Sequence, residues 1–98
     1  MARHIGYARV STDDQRPALQ TDALRAAGVE DGDIFVEHIS GVTELALRSA
    51  LREAIEACAP GDKLIVWKLD RLARSVWELI NITKALDARG VHFECVQD

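Results

Sequence analysis

The fold is decided by a short stretch near the start of the chain, Gly6-Tyr7-Ala8-Arg9-Val10-Ser11-Thr12-Asp13-Asp14-Gln15. Its first half contains residues that suit a β-strand, and the Ser-Thr-Asp-Asp cluster is typical of a helix start. We therefore expect Ser11 on the loop at the carboxyl end of a first strand, which is where ligands bind in open α/β sheets. Taken alone, the stretch is as typical of a strand followed by a capped helix as it is of an active site.

The rest of the sequence alternates between strand and helix patterns. Strands are predicted at 4–10, 34–39, 64–67 and 91–96, and helices at 47–58 and 77–89. A further helix is predicted from a cap at Asp13 or Asp14, with Pro17 in its first turn, to residue 27. Gly28 and Gly90 follow two of these helices and are predicted to end them. Since alternating strands and helices favour parallel strand pairing, we predict an α/β fold, a three-layer sandwich with a mostly parallel central sheet.

The chain is small and acidic. It has 98 residues and a formal net charge of −4 at pH 7, so bulk charge does not favour nucleic-acid binding, and a few focused arginines would have to hold any phosphate. No apolar run approaches the roughly 20 residues of a membrane span, and no signal-peptide core is present, so we expect a cytoplasmic protein. Cys58 and Cys95 lack metal-ligand spacing, and we expect both to be reduced and structural.

One edge of the predicted sheet collects most of the polar residues that could carry chemistry. The loops after the first three strands share this edge and contain Arg9, Ser11, Gln15, Ser40, Arg48, Lys68, Asp70, Arg71 and Arg74. Arginines around a serine suit an anionic transition state such as that of phosphoryl transfer. Arg71 and Arg74 would share a face near a helix N-terminus if a helix began near Arg71, but they are equally interpreted as solvated charges with Asp70 as an N-cap.

Other catalytic arrangements find little support in the sequence. The three histidines lie in or beside strands, no Ser-His-Asp triad can be identified, and no clustered carboxylates indicate a metal site. A phosphoacceptor module of the response-regulator type would need an acidic cluster at the edge where this chain is basic.

Three blocks of sequence together resemble the serine recombinases, the resolvase/invertase family. The first block is residues 7–15, and the second runs from Gly61-Asp62 through Trp67 to Ser75. Between them, Ile34-Phe35, Ser40-Gly41 and Arg48 resemble the middle block of the family. The resemblance covers essentially the whole chain, with the blocks in the family's order.

The resemblance implies a site-specific DNA recombinase of prokaryotic, phage or mobile-element origin. Ser11 would attack a DNA phosphodiester and become joined to the 5′ phosphate, without metal or cofactor. The catalytic residues it implies are Ser11, Arg9, Gln15, Arg48, Asp70, Arg71 and Arg74, with Gln20, Glu37 and Lys68 as further substrate-binding positions. The implied partners are double-stranded DNA and further copies of the chain, in a dimer and a synaptic tetramer.

The chain also departs from the family pattern. Glu37 stands where aspartate is common, the loop from Ser40 to Arg48 is longer than usual, and Ala73 replaces a common glycine. The family adds a long helix and a DNA-binding region, so residues 1–98 are expected to form a catalytic domain from a longer protein, inactive by itself. The alternative is a catalytically degenerate member that serves as an assembly or DNA-complex module.

Overall fold

A computed structural model describes residues 3–11, 16, 18–39, 49–73 and 75–97. Its strands are β1 (His4–Ser11), β2 (Ile34–Ile39), β3 (Lys63–Val66) and β4 (His92–Cys95), and its α-helices are α1 (Ala18–Ala26), α2 (Ser49–Ala57) and α3 (Val76–Ala88). Short 3-10 turns occupy Asp31–Asp33 and Leu69–Arg71. None of the helices in these ranges is long and apolar enough to cross a membrane.

The four strands form one sheet in the order β2-β1-β3-β4, and every neighbouring pair is parallel. The predicted alternation of strands and helices and the parallel sheet are therefore confirmed. Because the strands are parallel, their carboxyl ends lie at one edge of the sheet. This edge is called the carboxyl edge below.

The helices cover both faces of the sheet, as a three-layer sandwich requires. On one face, α2 and α3 pack over β1 and β3 in a core that includes Tyr7, Leu51, Val66 and Leu86. On the other face, α1 packs through Leu24 against a smaller core. Helix α1 lies close to the sheet because Gly6 has no side chain: a Cβ there would meet Leu24 Cδ1 and Val29 Cγ1 at 3.1 Å.

At the opposite edge, a buried carboxylate joins the starts of two strands. Asp62, 6% exposed, accepts the backbone N–H groups of Ala59 (2.8 Å) and Arg3 (3.0 Å). Those two hydrogen bonds lower the pKa of Asp62 below its ordinary value. Nearby, Arg3 also pairs with Asp33 at 2.5 Å.

Several predicted boundaries differ from the structure. Ser11 is the last residue of β1 and not a loop residue, and β3 ends at Val66, which leaves Trp67 half-buried. Helix α3 begins at Val76, after an N-cap at Ser75 whose Oγ accepts the N–H of Glu78 at 3.1 Å. The expected capped start of α1 and the loop at 40–48 lie outside the described residues.

Candidate active site

Strand β1 reaches further towards the carboxyl edge than β3 does. Its pairing with β2 continues to Ser11, opposite Ile39, whereas its pairing with β3 ends where Tyr7 meets Val66. The last residues of β1, from Ala8 to Ser11, therefore run beyond the end of β3. On the β3 side, the backbone of this extension needs other hydrogen-bond partners.

Gln20 of α1 supplies those partners. Its Oε1 accepts the backbone N–H of Arg9 at 3.2 Å, and its Nε2 donates to the backbone carbonyl of Arg9 at 2.8 Å. The side chain is 2% exposed, so the amide takes the place of a strand residue beside β1. Gln20 was predicted as a substrate-binding position, and the structure shows that both ends of its amide contact the backbone of Arg9.

The Arg9 side chain joins β1 to the segment that follows β3. It is a buried residue, 8% exposed, and its Nη2 donates to the backbone carbonyl of Asp70. Asp70 itself is exposed. Its backbone carbonyl contacts Arg9, and its carboxylate lies at the surface of the carboxyl edge. The structure thus brings together two predicted catalytic positions, Arg9 and Asp70, and Arg9 lies two residues along the chain from Ser11.

The 3-10 turn at Leu69–Arg71 is held in place by the two buried residues that follow it. Leu72 is fully buried and Ala73 nearly so, and the N–H groups of both donate to the Leu69 carbonyl, at 2.9 and 3.0 Å. The backbone at Arg71 therefore lies between the exposed Asp70 and the buried Leu72. The idea that a helix begins near Arg71 is wrong, because a 3-10 turn forms first and α3 begins only after Ser75.

Lys68 lies at the same edge, beside an aromatic ring. Its Nζ is 4.5 Å from the ring centroid of Trp67, a cation–π distance, and both residues are half-buried. Trp67 was expected to be the last residue of the third strand, but β3 ends one residue before it. The ring instead holds the ammonium of Lys68 close to the carboxyl edge.

Glu37 lies on β2 as the register partner of Arg9 and is 7% exposed. Its Oε2 accepts the backbone N–H of Ala50 at 3.3 Å, and its Oε1 accepts that of Leu51 at 3.3 Å and the hydroxyl of Tyr7 at 3.4 Å. The carboxylate therefore caps the first turn of α2 from a neighbouring strand. Sequence reasoning missed this role, although alternation along β2 places Glu37 on the same face as Phe35, which packs against the larger core.

Three predicted site residues, Gln15, Arg48 and Arg74, lie outside the described residues. For Ser11 and Arg71 the structure describes the backbone, at the end of β1 and in the 3-10 turn. In the described part of the chain, no group of three or more His, Cys, Asp and Glu residues could hold a metal ion. The metal-free chemistry that the resemblance implies stays a prediction.

Comparisons with known proteins agree with one another. The family model described as "Resolvase, N terminal domain" matches residues 4–98. Transposon Tn552 resolvase of Staphylococcus aureus is 46% identical over 94 residues, which cover 96% of this chain and 46% of that protein. DNA-invertase hin of Salmonella typhimurium is also 46% identical over 94 residues, covering 96% of this chain and 47% of the invertase.

Among solved structures, the C-terminal catalytic domain of ISC1926 TnpA, an IS607-like serine recombinase, superposes with a TM-score of 0.65 at 25% identity. The match covers 96% of this chain and 67% of that one. The chain spans about half the length of the two curated relatives named above.

Proposed function

The chain belongs to the resolvase N-terminal domain family of serine recombinases, and on that premise we propose that residues 1–98 form the catalytic domain of a site-specific DNA recombinase. Ser11 is the proposed nucleophile. Its hydroxyl oxygen bonds to a DNA phosphorus, and the bond from phosphorus to the 3′ oxygen breaks. The net proton transfer is from Ser11 to the departing 3′ hydroxyl, and the reverse reaction rejoins a new strand.

The proposed role of the arginines is to stabilise the negative charge that builds on the phosphoryl oxygens. A guanidinium stays protonated and can hold two oxygens of a phosphate at once. Arg9, Arg48, Arg71 and Arg74 are proposed for this role, with Asp70 and Gln15 as further polar groups of the site. The phosphoserine link would conserve the energy of the broken phosphodiester bond, so the proposal includes no nucleotide cofactor. It includes no metal either.

The observation that carries the proposal is the placement of Arg9. A buried guanidinium would be costly without partners. That of Arg9 donates to the Asp70 carbonyl, and Gln20 holds the backbone of the same residue at the carboxyl edge. Ser11 follows two residues later at the end of the same strand. A fixed cation beside a strand-terminal serine supports phosphoryl transfer better than a role in assembly alone.

The test is a covalent-adduct assay. The full chain replaces the matching segment of DNA-invertase hin, binding to the invertase's own DNA substrate is verified by mobility shift, and the reaction is stopped in denaturant. We expect protein attached to a 5′ DNA end through Ser11, identified by peptide mass. Ser11→Ala is expected to abolish the adduct and leave binding unchanged.

The unaltered invertase is the positive control. If the hybrid binds DNA as the invertase does but forms no adduct where the invertase forms one, the proposal is refuted and the degenerate assembly module becomes the better interpretation. An adduct at another residue would identify that residue, and not Ser11, as the nucleophile.

The same hybrid tests the arginines. Arg71→Ala and Arg74→Ala are each expected to slow cleavage by about 10²-fold or more, in the range for loss of one transition-state donor, and to weaken binding far less. Arg25→Ala is the matched control, because it removes the same charge from an exposed site that is ion-paired with Asp31 and Asp22. Equal losses in cleavage rate and in DNA affinity would show that Arg71 and Arg74 contribute only to DNA binding.

The proposed partners follow from the reaction. Double-stranded DNA is the substrate, and exchange of strands between two sites requires several copies of the chain, so a dimer and a synaptic tetramer of the whole protein belong to the proposal. A cytoplasmic location is proposed for the same reason, since the DNA lies there.

A further inference from the structure

The contacts of Glu37 point to a role different from substrate binding. The residue is 7% exposed, and its carboxylate contacts two N–H groups of α2 and the hydroxyl of Tyr7. A buried carboxylate is tolerated only when such donors compensate the loss of water. It would also repel an approaching DNA phosphate. Both oxygens of Glu37 already accept N–H or O–H groups of the domain itself, so the carboxylate suits a contact within the fold better than a contact with DNA.

The same contacts join three elements at the carboxyl edge. Glu37 lies on β2, Tyr7 on β1 and the two N–H groups on the first turn of α2. The first N–H groups of a helix have no partner within it, and the helix dipole favours a negative charge beside them. Glu37 therefore ties the N-terminus of α2 to β1 and β2 by hydrogen bonds, beside the apolar packing of Leu51.

We propose that Glu37 is a positioning residue of the recombinase reaction, which sets where α2 begins relative to β1. This inference rests on the proposed function, because Arg48 directly precedes α2 in the sequence and is one of the arginines assigned to the scissile phosphate. Tyr7 lies two residues before Arg9 and four before Ser11 on β1. Glu37 thus links the strand that carries the nucleophile to the helix that follows Arg48.

The expected consequence is a loss of rate without a loss of affinity. A misplacement of about 1 Å at a reacting centre can cost about 10²-fold in rate. In the hybrid described above, Glu37→Ala is expected to slow single-turnover cleavage by about 10²-fold, measured per folded molecule, with DNA affinity within about twofold. Glu37→Gln keeps the length and one acceptor oxygen, so its rate is expected between those of Glu37→Ala and the unaltered hybrid.

Glu53→Gln is the matched control, because Glu53 is an exposed carboxylate on the same helix. Its rate is expected to equal that of the unaltered hybrid. If Glu37→Ala lowers the melting temperature but leaves the rate per folded molecule unchanged, Glu37 is merely structural and the inference is overturned. Since the unaltered hybrid and Ser11→Ala are measured beside it, this result is distinguishable from failure of the proposed function.

A second measurement needs no activity. In hydrogen exchange on the 98-residue chain, Glu37→Ala is expected to speed exchange at the amides of Ala50 and Leu51 by about tenfold, the effect of about 1.4 kcal/mol of lost protection. The amide of Ala54, further along α2, is expected to change much less. Unchanged exchange at Ala50 and Leu51 would show that Glu37 does not hold the helix, which overturns the inference even if the hybrid is active.

Discussion

Replacing Gln20 with leucine tests how the end of β1 is held. Leucine has a similar size but no polar atoms, so Gln20→Leu would leave the N–H and C=O groups of Arg9 without the partners at 3.2 and 2.8 Å. A buried polar group left unsatisfied costs about 1–3 kcal/mol, or about 2–6 kcal/mol for the two. Burial of the leucine side chain offsets about 1.5–3 kcal/mol of this. We therefore expect the free energy of unfolding to fall by about 2 kcal/mol.

Thermal unfolding of the 98-residue chain followed by circular dichroism is the assay. A loss of about 2 kcal/mol corresponds to a fall in melting temperature of about 8–16 °C for a domain of this size. Ala26→Leu is the control, because it introduces the same side chain at an exposed position of the same helix. A fall of less than about 2 °C for Gln20→Leu, equal to the control, would refute the view that its amide replaces a strand at β1.

Three further predictions concern the rest of the domain. Because the pKa of Asp62 is lower in the folded state, its carboxylate adds stability above its unfolded pKa of about 3.9, and this is lost as the pH falls through the lower folded value. Asp62→Asn should flatten the dependence of unfolding free energy on pH below about 4. An unchanged slope of unfolding free energy against pH would contradict the lowered pKa of Asp62. Leu86→Ala, at a side chain 1% exposed, should lower the unfolding free energy in urea by about 2–5 kcal/mol, and a loss no larger than that of the exposed Leu19→Ala would disprove tight packing there. Trp77, 72% exposed, should be quenched by acrylamide more strongly than the half-buried Trp67. Trp77→Phe should therefore lower the quenching constant of the remaining tryptophan fluorescence, and an unchanged constant would contradict the difference in exposure.

Element order, and the edge of the sheet where Arg9, Lys68 and Asp70 lie, could be predicted because they depend on local patterns. Alternating strands and helices lead to a parallel sheet, and a parallel sheet brings the strand ends to one edge. The strand pattern alone is enough to place Arg9, Lys68 and Asp70 at that edge. The chemistry proposed for that edge comes from the family resemblance, because periodicity alone leaves it open.

The contacts that organise the edge could not be predicted, because they depend on where neighbouring strands stop. Gln20 contacts Arg9 only because β3 ends opposite Tyr7 while β1 continues. Glu37 caps a helix that is distant in sequence, a contact that no local capping rule detects. Trp77 begins the third predicted helix and is largely exposed, as is Val76 at the start of α3.

The inner position of β1 has a consequence for the order in which the domain is made. Strand β1 is synthesised before the other strands, yet one of its two partners, β3, is synthesised only after α1, β2 and α2. During translation the nascent chain therefore carries a strand with one open edge, which is a template for unwanted pairing with other chains. The contact between Arg9 and the Asp70 carbonyl can form only later, after the 3-10 turn that follows β3 has left the ribosome. The strand of the sheet that is made first is thus among the last to acquire all of its native contacts.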